Sequence, residues 1–472
     1  MKKTVKVKVA KRVTEAERGT LLSDILRIEK PCGGQGRCGK CKVLVDGVEQ
    51  LACRYRVMSD IEVELYESGE IVSESGLVES GELGARHCLC LDIGTTTLAL
   101  ALVSLDKGEI VRVVTRTNPQ RIFGSDVITR IEYCQKNSVD ELHGLLIDEI
   151  NRMIDEIDED VEDMYVAANV TMLHTFFGVD CSSIGVAPYK PSFLESKSLD
   201  GREIGINRVG HVRSLPSVAS FVGADIVAGM FLLGMPEDGK YNLLVDLGTN
   251  AEVALYSSKS GVATAAAAGP CFEGANISSG MSATDGAVYA FSLNYGHAEY
   301  KTVGDAPARG ICGTGLIDII AELLKNEIID ESGYMDDDYM IADGVSLCVG
   351  DVRQYQLAKS AIFSAIASLM KREGIGFEDI SKMYISGGFS AKINIANAIA
   401  SGLFPRELAA KAMPINNSSL QGVVKYAIGA EHGKDIADVE RYAKHVEYID
   451  LSSDPYFSEM FIEGLLFSTY FS

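Results

Sequence analysis

Four cysteines stand close together near the start of the 472-residue chain, where their thiolates could bind an inorganic cluster. They follow the spacing C-x5-C-x2-C-x11-C and are Cys32, Cys38, Cys41 and Cys53. Three thiolates on one tight loop can reach one cluster, and the fourth returns from the next predicted strand. The loop is rich in glycine, which lets backbone N–H groups approach sulfur and tune the reduction potential. This pattern favours a 2Fe–2S cluster.

Two other metal centres are weighed against this interpretation. A structural zinc site usually takes two C-x2-C pairs, and this segment contains one pair at that spacing. A bacterial 4Fe–4S centre uses a C-x2-C-x2-C run, which the sequence lacks. Zinc therefore remains the main alternative to the 2Fe–2S cluster.

Two Asp-x-Gly-Thr turns, roughly 150 residues apart, each follow an apolar run that reads as a strand. We call Asp92–Thr97 the first turn and Asp246–Glu252 the second turn; the predicted strands before them are 89–93 and 241–247. Glycine permits a tight turn whose N–H groups face a phosphate, and threonine hydroxyls add donors. The repeat indicates an internal duplication. The candidate phosphate-binding residues are Gly94, Thr95, Thr96, Thr97, Gly248, Thr249 and Asn250.

Carboxylates in and near the two turns are candidates for metal and water chemistry. Asp92 and Asp246 each end a strand and could hold Mg²⁺ through its waters, although capping a turn is the alternative. Glu252 and Glu273 could orient an attacking water, or could be structural hydrogen-bond partners. Asp225 stands where a lobe-connecting helix should begin, so we expect it to cap that helix.

Two further glycine-rich segments could line a nucleotide site. Gly313 lies in a run that opens the predicted apolar helix 316–325. Gly387 and Gly388 end the predicted strand 383–387, where glycine would let a base or ribose lie against the backbone.

The elements that must position the cysteines are short strands and one helix. Strand-like runs occupy 4–9, 42–45 and 61–65, and a helical stretch lies near 20–28. This is the layout of a ferredoxin-like β-grasp domain. The next segment, 67–87, is rich in Glu, Ser and Gly and reads as a linker. Alternating strands and helices then begin.

Charge and composition limit the possible partners and location. The net charge of −22 argues against nucleic acid as a partner. The segment 1–66 is basic, with 14 Lys and Arg against 9 Asp and Glu, so it could dock on its own acidic body or on an acidic partner. No run of eighteen apolar residues occurs, and the N-terminus lacks the apolar stretch of a signal peptide. We therefore expect a cytoplasmic protein that does not enter a membrane.

The body resembles the actin, hexokinase and heat-shock chaperone superfamily, whose members bind ATP between two duplicated α/β lobes. Asp92–Thr97 matches the first phosphate motif of that superfamily, and Asp246–Thr249 matches the second. Gly387 and Gly388 match its adenosine motif. The resemblance implies a body that binds ATP and Mg²⁺, although a shared fold does not define the reaction.

Joined to the cysteine cluster, this body resembles the reductive activators of corrinoid proteins that carry an N-terminal 2Fe–2S domain. The resemblance covers almost the whole chain. It also rests on four longer strings, at 168–174, 187–191, 269–278 and 449–452. The implied fold class is an α+β ferredoxin-like β-grasp domain followed by a duplicated α/β actin-like ATPase of two lobes.

The resemblance also implies the domain order and the activity. The expected units are a 2Fe–2S domain (1–66), a linker (67–87), lobe I (88–235), and lobe II with a C-terminal tail (236–472). The expected enzyme hydrolyses ATP and transfers single electrons from its cluster to a Co(II) corrinoid protein, regenerating Co(I) for a methyltransferase system of anaerobic metabolism. An upstream low-potential electron donor and a homodimer are implied as well.

Three other functions remain open at this point. The first is an ATP-driven electron donor to another low-potential enzyme, the second a metabolite kinase with a redox-sensing cluster, and the third a chaperone-like scaffold with a structural cluster. The type of cluster would distinguish the other electron donor, and a substrate base would identify a kinase. A scaffold would show no electron transfer that depends on the cluster.

Overall fold

Alternating valine and lysine shape the first strand, because Val5 and Val7 enter a core while Lys6 and Lys8 stay exposed. The computed structural model describes residues 4–9, 12–26, 28, 34, 36, 41–65, 78–79, 81–124, 126–388, 390–433 and 436–467. The first elements are β1 (Thr4–Val9), β2 (Arg12–Glu17), α1 (Leu22–Leu26), β3 (Lys42–Val45), β4 (Val48–Leu51) and β5 (Ile61–Leu65). Their strands form a mixed sheet in the order β2-β1-β5-β3-β4, with β1 parallel to β5. The predicted strands are confirmed, and the helix is shorter than predicted.

The described part of the predicted linker lies along the next sheet. Its strand β6 (Val78–Glu79) pairs antiparallel with a later strand, at Val113 and Arg112. Arg86 donates from its backbone N and from its Nε to Asp106, at 2.7 and 2.9 Å. The connection to the body is therefore made partly by sheet pairing.

The first large sheet is built from nearly continuous apolar strands, as expected for strands covered on both faces. Its other strands are β7 (His87–Ile93), β8 (Thr97–Ser104), β9 (Glu109–Thr117), β10 (Val161–Ala168), β11 (Ser198–Asp200) and β12 (Val209–Ser214). The order is β11-β12-β10-β7-β8-β9-β6. The accompanying helices are α2 (Val127–Lys136), α3 (Asp140–Ile157), α4 (Val170–Phe176) and α5 (Ala224–Leu233).

A second large sheet repeats the plan, in the order β22-β21-β13-β14-β15-β23. The strands of this half are β13 (Tyr241–Leu247), β14 (Ala251–Tyr256), β15 (Gly261–Ala266), β16 (Ala287–Asn294), β17 (His297–Thr302), β18 (Gly310–Ile311), β19 (Tyr339–Ala342), β20 (Val345–Leu347), β21 (Ile380–Ser386), β22 (Ala412–Pro414) and β23 (Val446–Tyr448). Its helices are α6 (Gly313–Lys325), α7 (Val349–Glu373), α8 (Ile395–Ala400), α9 (Ser418–Glu431), α10 (Ile436–His445) and α11 (Pro455–Glu463).

The two sheets share a core through the helix pair α5 and α9. Successive residues of β13 point to opposite faces, so Leu244 enters the core that holds α5, α9 and the first sheet. Leu243 and Val245 enter a separate core with α6 and α7. Helices α9 and α10 belong to the second half in sequence, yet they pack into the core of the first sheet. No helix among the described residues is long and apolar enough to cross a membrane.

Candidate active site

The first turn is held by backbone hydrogen bonds and by Asn118. Gly94 N donates to Thr97 O at 2.9 Å, and a Cβ at Gly94 would lie 2.7 Å from that oxygen, so only glycine fits. Asn118 donates from its backbone N to Thr96 O and from its Nδ2 to Gly94 O, both at 2.8 Å. The turn conformation is therefore fixed before any ligand binds.

A fully buried arginine on α2 supports the same turn. Arg130 donates from its guanidinium to Thr95 O at 2.6 Å and from Nε to Gly124 O at 3.0 Å. Asn169, the N-cap of α4, donates to Thr95 Oγ1 at 3.1 Å. The sequence did not single out Arg130, since an arginine inside a helix usually faces solvent. Asn169 did carry a signal, because it lies in the string 168–174.

The second turn is built in the same way. Gly248 N donates to Asn250 O at 2.9 Å, and the hairpin register places Asp246 opposite Glu252. The end of β21 is pressed against this turn. Gly387 has a φ of +116°, and a Cβ there would lie 2.1 Å from Leu247 O. A Cβ at Gly388 would meet nothing within 4 Å, so that position has open space beside it.

Glu273 joins the two turns. It ends the short 3-10 helix Pro270–Glu273. Its Oε1 accepts from Thr96 Oγ1 at 3.1 Å, and its Oε2 accepts from Thr249 Oγ1 at 2.8 Å. One carboxylate thus contacts both candidate phosphate-binding turns.

Three consecutive residues at the start of α9, which we call the α9 cap (Asn417–Ser419), link the ends of the central strands. Asn417 Nδ2 and Ser419 Oγ donate to Asp92, at 2.9 and 2.7 Å. Ser418 and Ser386, at the end of β21, share a hydrogen bond between their hydroxyls at 2.7 Å. Ser386 in turn hydrogen-bonds Asp246. The two strand-ending aspartates are therefore connected through three adjacent residues of a distant segment.

Buried negative charge dominates the electrostatics of the cleft. Burial raises the pKa of Asp92, against the hydrogen bonds from Ser419 and Asn417. Burial and the charge of Asp92 raise the pKa of Asp246 to about 6. Burial and the charges of Asp225 and Asp246 raise the pKa of Glu252 well above its ordinary range. Because these groups influence one another, all lie in the same electrostatic environment.

Asp225 does not cap its helix, so the expectation from the sequence is wrong. The N-cap of α5 is Gly223, and the Asp225 carboxylate accepts a hydrogen bond from the backbone N–H of Ile226 at 2.9 Å, within the first turn of the helix. A Cβ at position 223 would lie 2.5 Å from the α-carbon of Asn169, so close packing requires glycine there. The Asp225 carboxylate belongs to the cleft, where burial and Asp246 raise its pKa to about 7.

Gly313 has a packing role in the structure. A Cβ at this position would lie 2.2 Å from Phe272 O, and one at Gly315 would lie 2.0 Å from Val288 O. Close approach of α6 to the neighbouring backbone therefore accounts for both glycines. A nucleotide contact by Gly313 stays a prediction.

The structure describes two of the four cysteines that the sequence predicts to bind a cluster. Cys41 and Cys53 are buried beside the same end of the β3–β4 hairpin, where Ala52 N donates to Cys41 O at 2.8 Å. Cys32 and Cys38 lie outside the described residues. Within the described part of the chain, no group of three or more His, Cys, Asp or Glu side chains is placed to hold a metal ion.

Known proteins match this chain over most of its length. A family model described as the RACo middle region matches residues 87–238, and one described as the C-terminal domain of RACo, the ASKHA domain, matches residues 240–470. The corrinoid activation enzyme RamQ of Eubacterium limosum is 29% identical over 419 residues, covering 80% of this chain and 70% of that protein. The [Co(II) methylated amine-specific corrinoid protein] reductase of Methanosarcina barkeri is 27% identical over 370 residues, covering 70% and 68%.

A solved structure agrees with these relatives. The reductive activator for corrinoid, iron-sulfur protein has a TM-score of 0.73 and 25% identity, covering 98% of both chains. The resemblance inferred from the sequence is thereby confirmed, as is the actin-like body. Because the two RACo models together match most of the chain, it belongs to the family of reductive activators of corrinoid proteins, with a body of the ASKHA fold.

Proposed function

We propose that this enzyme is an ATP-dependent reductive activator that returns a Co(II) corrinoid protein to Co(I) for methyl transfer. The observation that carries the proposal is that Glu273 accepts hydrogen bonds from both Asp-x-Gly-Thr turns, in a chain of this family. Two hydroxyl-bearing glycine turns that face each other suit the phosphates of one nucleotide. The relatives named above act on corrinoid proteins, which supports a corrinoid protein as the acceptor here.

A 2Fe–2S cluster on Cys32, Cys38, Cys41 and Cys53 would supply single electrons at low potential. Two observations support its fit to the chain. The strand order β2-β1-β5-β3-β4, with β1 parallel to β5, is that of a β-grasp sheet, the fold of plant-type ferredoxins. The two described cysteines lie at one end of a hairpin and are not paired in a disulfide.

The body would bind Mg–ATP through the two turns. The turn N–H groups and the hydroxyls of Thr96 and Thr249 would bind phosphate oxygens, and Asp92 and Asp246 would hold waters of Mg²⁺. Gly388, with open space beside it, would lie against the nucleoside.

The raised pKa values divide the carboxylates by role. A general base works best when its pKa lies near the working pH. Asp225, whose pKa is about 7, meets that condition and is the better candidate to accept a proton from the attacking water. Burial raises the pKa of Glu252 well above its ordinary range, which favours the protonated form and suits a hydrogen-bond donor.

ATP has a thermodynamic task in this scheme. Plant-type 2Fe–2S centres have reduction potentials of about −400 mV, which is too high to reduce Co(II) to Co(I) without an input of energy. Nucleotide binding would shift the equilibrium between open and closed lobes, and closure would change how the corrinoid protein is held or released. An upstream low-potential donor would recharge the cluster, and a homodimer through the ATPase body is the proposed assembly.

One assay tests the proposal directly. The anaerobically purified, reduced protein is mixed with a Co(II) corrinoid protein from the same cell, and Co(I) absorbance is followed with and without Mg–ATP. We expect Co(I) only with ATP, and none with Cys41→Ala. Cys348→Ala, which changes the least buried cysteine among the described residues, is the matched control. ATP hydrolysis without Co(I) formation, across several corrinoid proteins, would rule out the corrinoid acceptor and favour another low-potential acceptor.

A further inference from the structure

We propose that Glu273 is a latch between the two lobes, whose carboxylate takes the hydroxyl donors that a nucleotide phosphate needs, so that phosphate binding must release it. The inference rests on the ATP site proposed above and adds how that site is opened. It assigns Glu273 a role in controlling access, where the sequence suggested orientation of water.

The hydroxyl donors of both turns are already occupied. A threonine hydroxyl has one proton and donates one hydrogen bond. Thr96 and Thr249 both spend theirs on Glu273, at 3.1 and 2.8 Å. Neither hydroxyl can donate to a phosphate oxygen while it donates to the carboxylate. A phosphate and Glu273 therefore compete for the same two protons.

Charge makes the competition stronger. Phosphate oxygens and the Glu273 carboxylate carry the same sign and would stand within one hydrogen-bond shell of each other. Burial raises the pKa of Glu273, while Thr249, Thr96, Arg121 and Arg130 lower it. Glu252 and the Cys271 thiol also face this group. Once Glu273 leaves, the field of the two arginines acts on the phosphate instead.

The latch sits on an element that can transmit its movement. Gly269 and Gly274, with φ values of +77° and +78°, flank the short helix Pro270–Glu273. Phe272 O within that helix lies against Gly313, the first residue of α6. Because that contact leaves no room even for a methyl group, displacement of the short helix would be felt by α6.

The test measures affinity for a non-hydrolysable ATP analogue by calorimetry, with hydrolysis followed separately in single turnovers. We expect Glu273→Gln to bind the analogue about tenfold more tightly than the unmodified enzyme. Glu273→Asp, too short to reach both threonines, should also bind more tightly. In a Thr249→Val background the gain from Glu273→Gln should shrink, because the two residues then no longer interact. Glu299→Gln, on the exposed face of β17, is the matched control.

Two outcomes separate the latch from the ATP site itself. If the unmodified enzyme binds no analogue, the ATP site is refuted and the latch with it. If it binds but both Glu273 variants bind equally or more weakly, the latch is overturned while the ATP site stands. Unchanged affinity with lost hydrolysis would return Glu273 to the role of orienting water.

Discussion

Burial of negative charge distinguishes Asp246 from the surface carboxylates of the chain. An ionised carboxylate in this cleft is costly until a cation neutralises it, which is why its pKa is raised to about 6. The same cost would favour binding of the hydrated Mg²⁺ that we propose for this site. Under that proposal, function and stability are opposed at this residue.

Replacing Asp246 by Asn should separate these two effects. The pKa of Asp246 is about 6 in the folded protein and about 3.9 in the unfolded chain, so the folded protein binds more protons between these two values. The free energy of unfolding therefore falls as the pH rises from about 3.9 to about 6. We expect Asp246→Asn to unfold at a higher temperature than the unmodified enzyme near pH 8, with a smaller gain near pH 4.5. Mg–ATP hydrolysis should fall about 10²-fold.

Thermal unfolding at both pH values and a steady-state ATPase assay measure the outcome. An equal gain in unfolding temperature at both pH values would show that relief of buried charge is not its cause. The control is Asp238→Asn. Asp238 is exposed, and a hydrogen bond from Ser381 is the main reason that the pKa of its carboxyl is lowered, so this variant should hydrolyse ATP at the unchanged rate.

Asp92 and Asp246 could be found in the sequence because each stands at the end of an apolar strand beside Gly and Thr. The residues that complete the site have no such local signal. Ser419 lies 327 residues from Asp92, and Arg130 lies 35 residues from Thr95. Only the fold brings these partners together, so local patterns alone cannot identify them.

At the scale of elements, two glycines that look alike in sequence have different surroundings, since one is closely packed and the other borders open space. Gly313 begins α6 three residues before the predicted start, because the helix must approach Phe272 closely there. Gly388 follows β21 and has open space beside it.

The strand β13 coincides with its prediction at 241–247, since its apolar run is bounded by turn residues on both sides.

A pair of alanine substitutions should separate packing from ligand binding. Gly313→Ala places a Cβ 2.2 Å from a backbone oxygen, so we expect it to lower the unfolding temperature by several degrees. Gly388→Ala should leave that temperature nearly unchanged and weaken ATP binding about tenfold, because the methyl group would occupy space proposed for the nucleoside. Thermal unfolding and calorimetry measure both. Weakened stability with intact ATP binding in Gly388→Ala would contradict the assignment.

The segment 461–466, at and just after the end of α11, is held to α7 by side chains that donate hydrogen bonds to its backbone carbonyls. Lys359, fully buried, donates to Gly464 O at 2.5 Å and to Leu466 O at 2.7 Å. Gln356 donates to Leu465 O at 2.7 Å, and Ser360 to Phe461 O. These bonds satisfy one carbonyl in the last turn of α11 and three carbonyls in the segment that follows it.

Lys359 should make the docking of this tail depend on pH. Burial lowers its pKa to about 7, so between about pH 7 and 10 the folded protein binds fewer protons than the unfolded chain, and stability rises with pH. In Lys359→Met that rise should disappear, and the stability gap to the unmodified enzyme should change by up to about 1.4 kcal/mol per pH unit. Proteolysis of the tail and thermal unfolding across this range measure it. Lys382→Met, at an exposed position, is the control; parallel pH profiles for Lys359→Met and the unmodified enzyme would contradict the prediction.

At the scale of the whole molecule, the two large sheets do not form independent halves. The helix pair α5 and α9 lies in a core with residues of both sheets, so movement of one sheet relative to the other must pass through this pair. A duplication visible in sequence predicts two similar sheets. It does not predict that α9 and α10, from the second half, pack with the first, because that depends on apolar faces meeting across more than 180 residues.

Under the proposed function, the α9 cap would couple ATP binding to electron transfer. Asn417 and Ser419 bond Asp92 of the first sheet, while Ser418 bonds Ser386, the partner of Asp246 in the second. Ser418→Ala removes the hydroxyl–hydroxyl bond to Ser386, which leaves only the weaker bond from Ser418 N to Ser386 Oγ at 3.2 Å, and it keeps both bonds to Asp92. We therefore expect nucleotide affinity to change little, and the number of ATP molecules hydrolysed per Co(I) formed to rise several-fold.

Parallel assays of phosphate release and Co(I) absorbance give that ratio. Ser458→Ala, an exposed position on α11, is the matched control. If both rates fell equally in Ser418→Ala, the ratio would stay constant and the cap would serve only to stabilise the fold. A raised ratio would show that ATP is still hydrolysed at the two turns but that hydrolysis is less well coupled to Co(I) formation. That is the result expected if the hydrogen bond between Ser418 and Ser386 transmits a change from one sheet to the other.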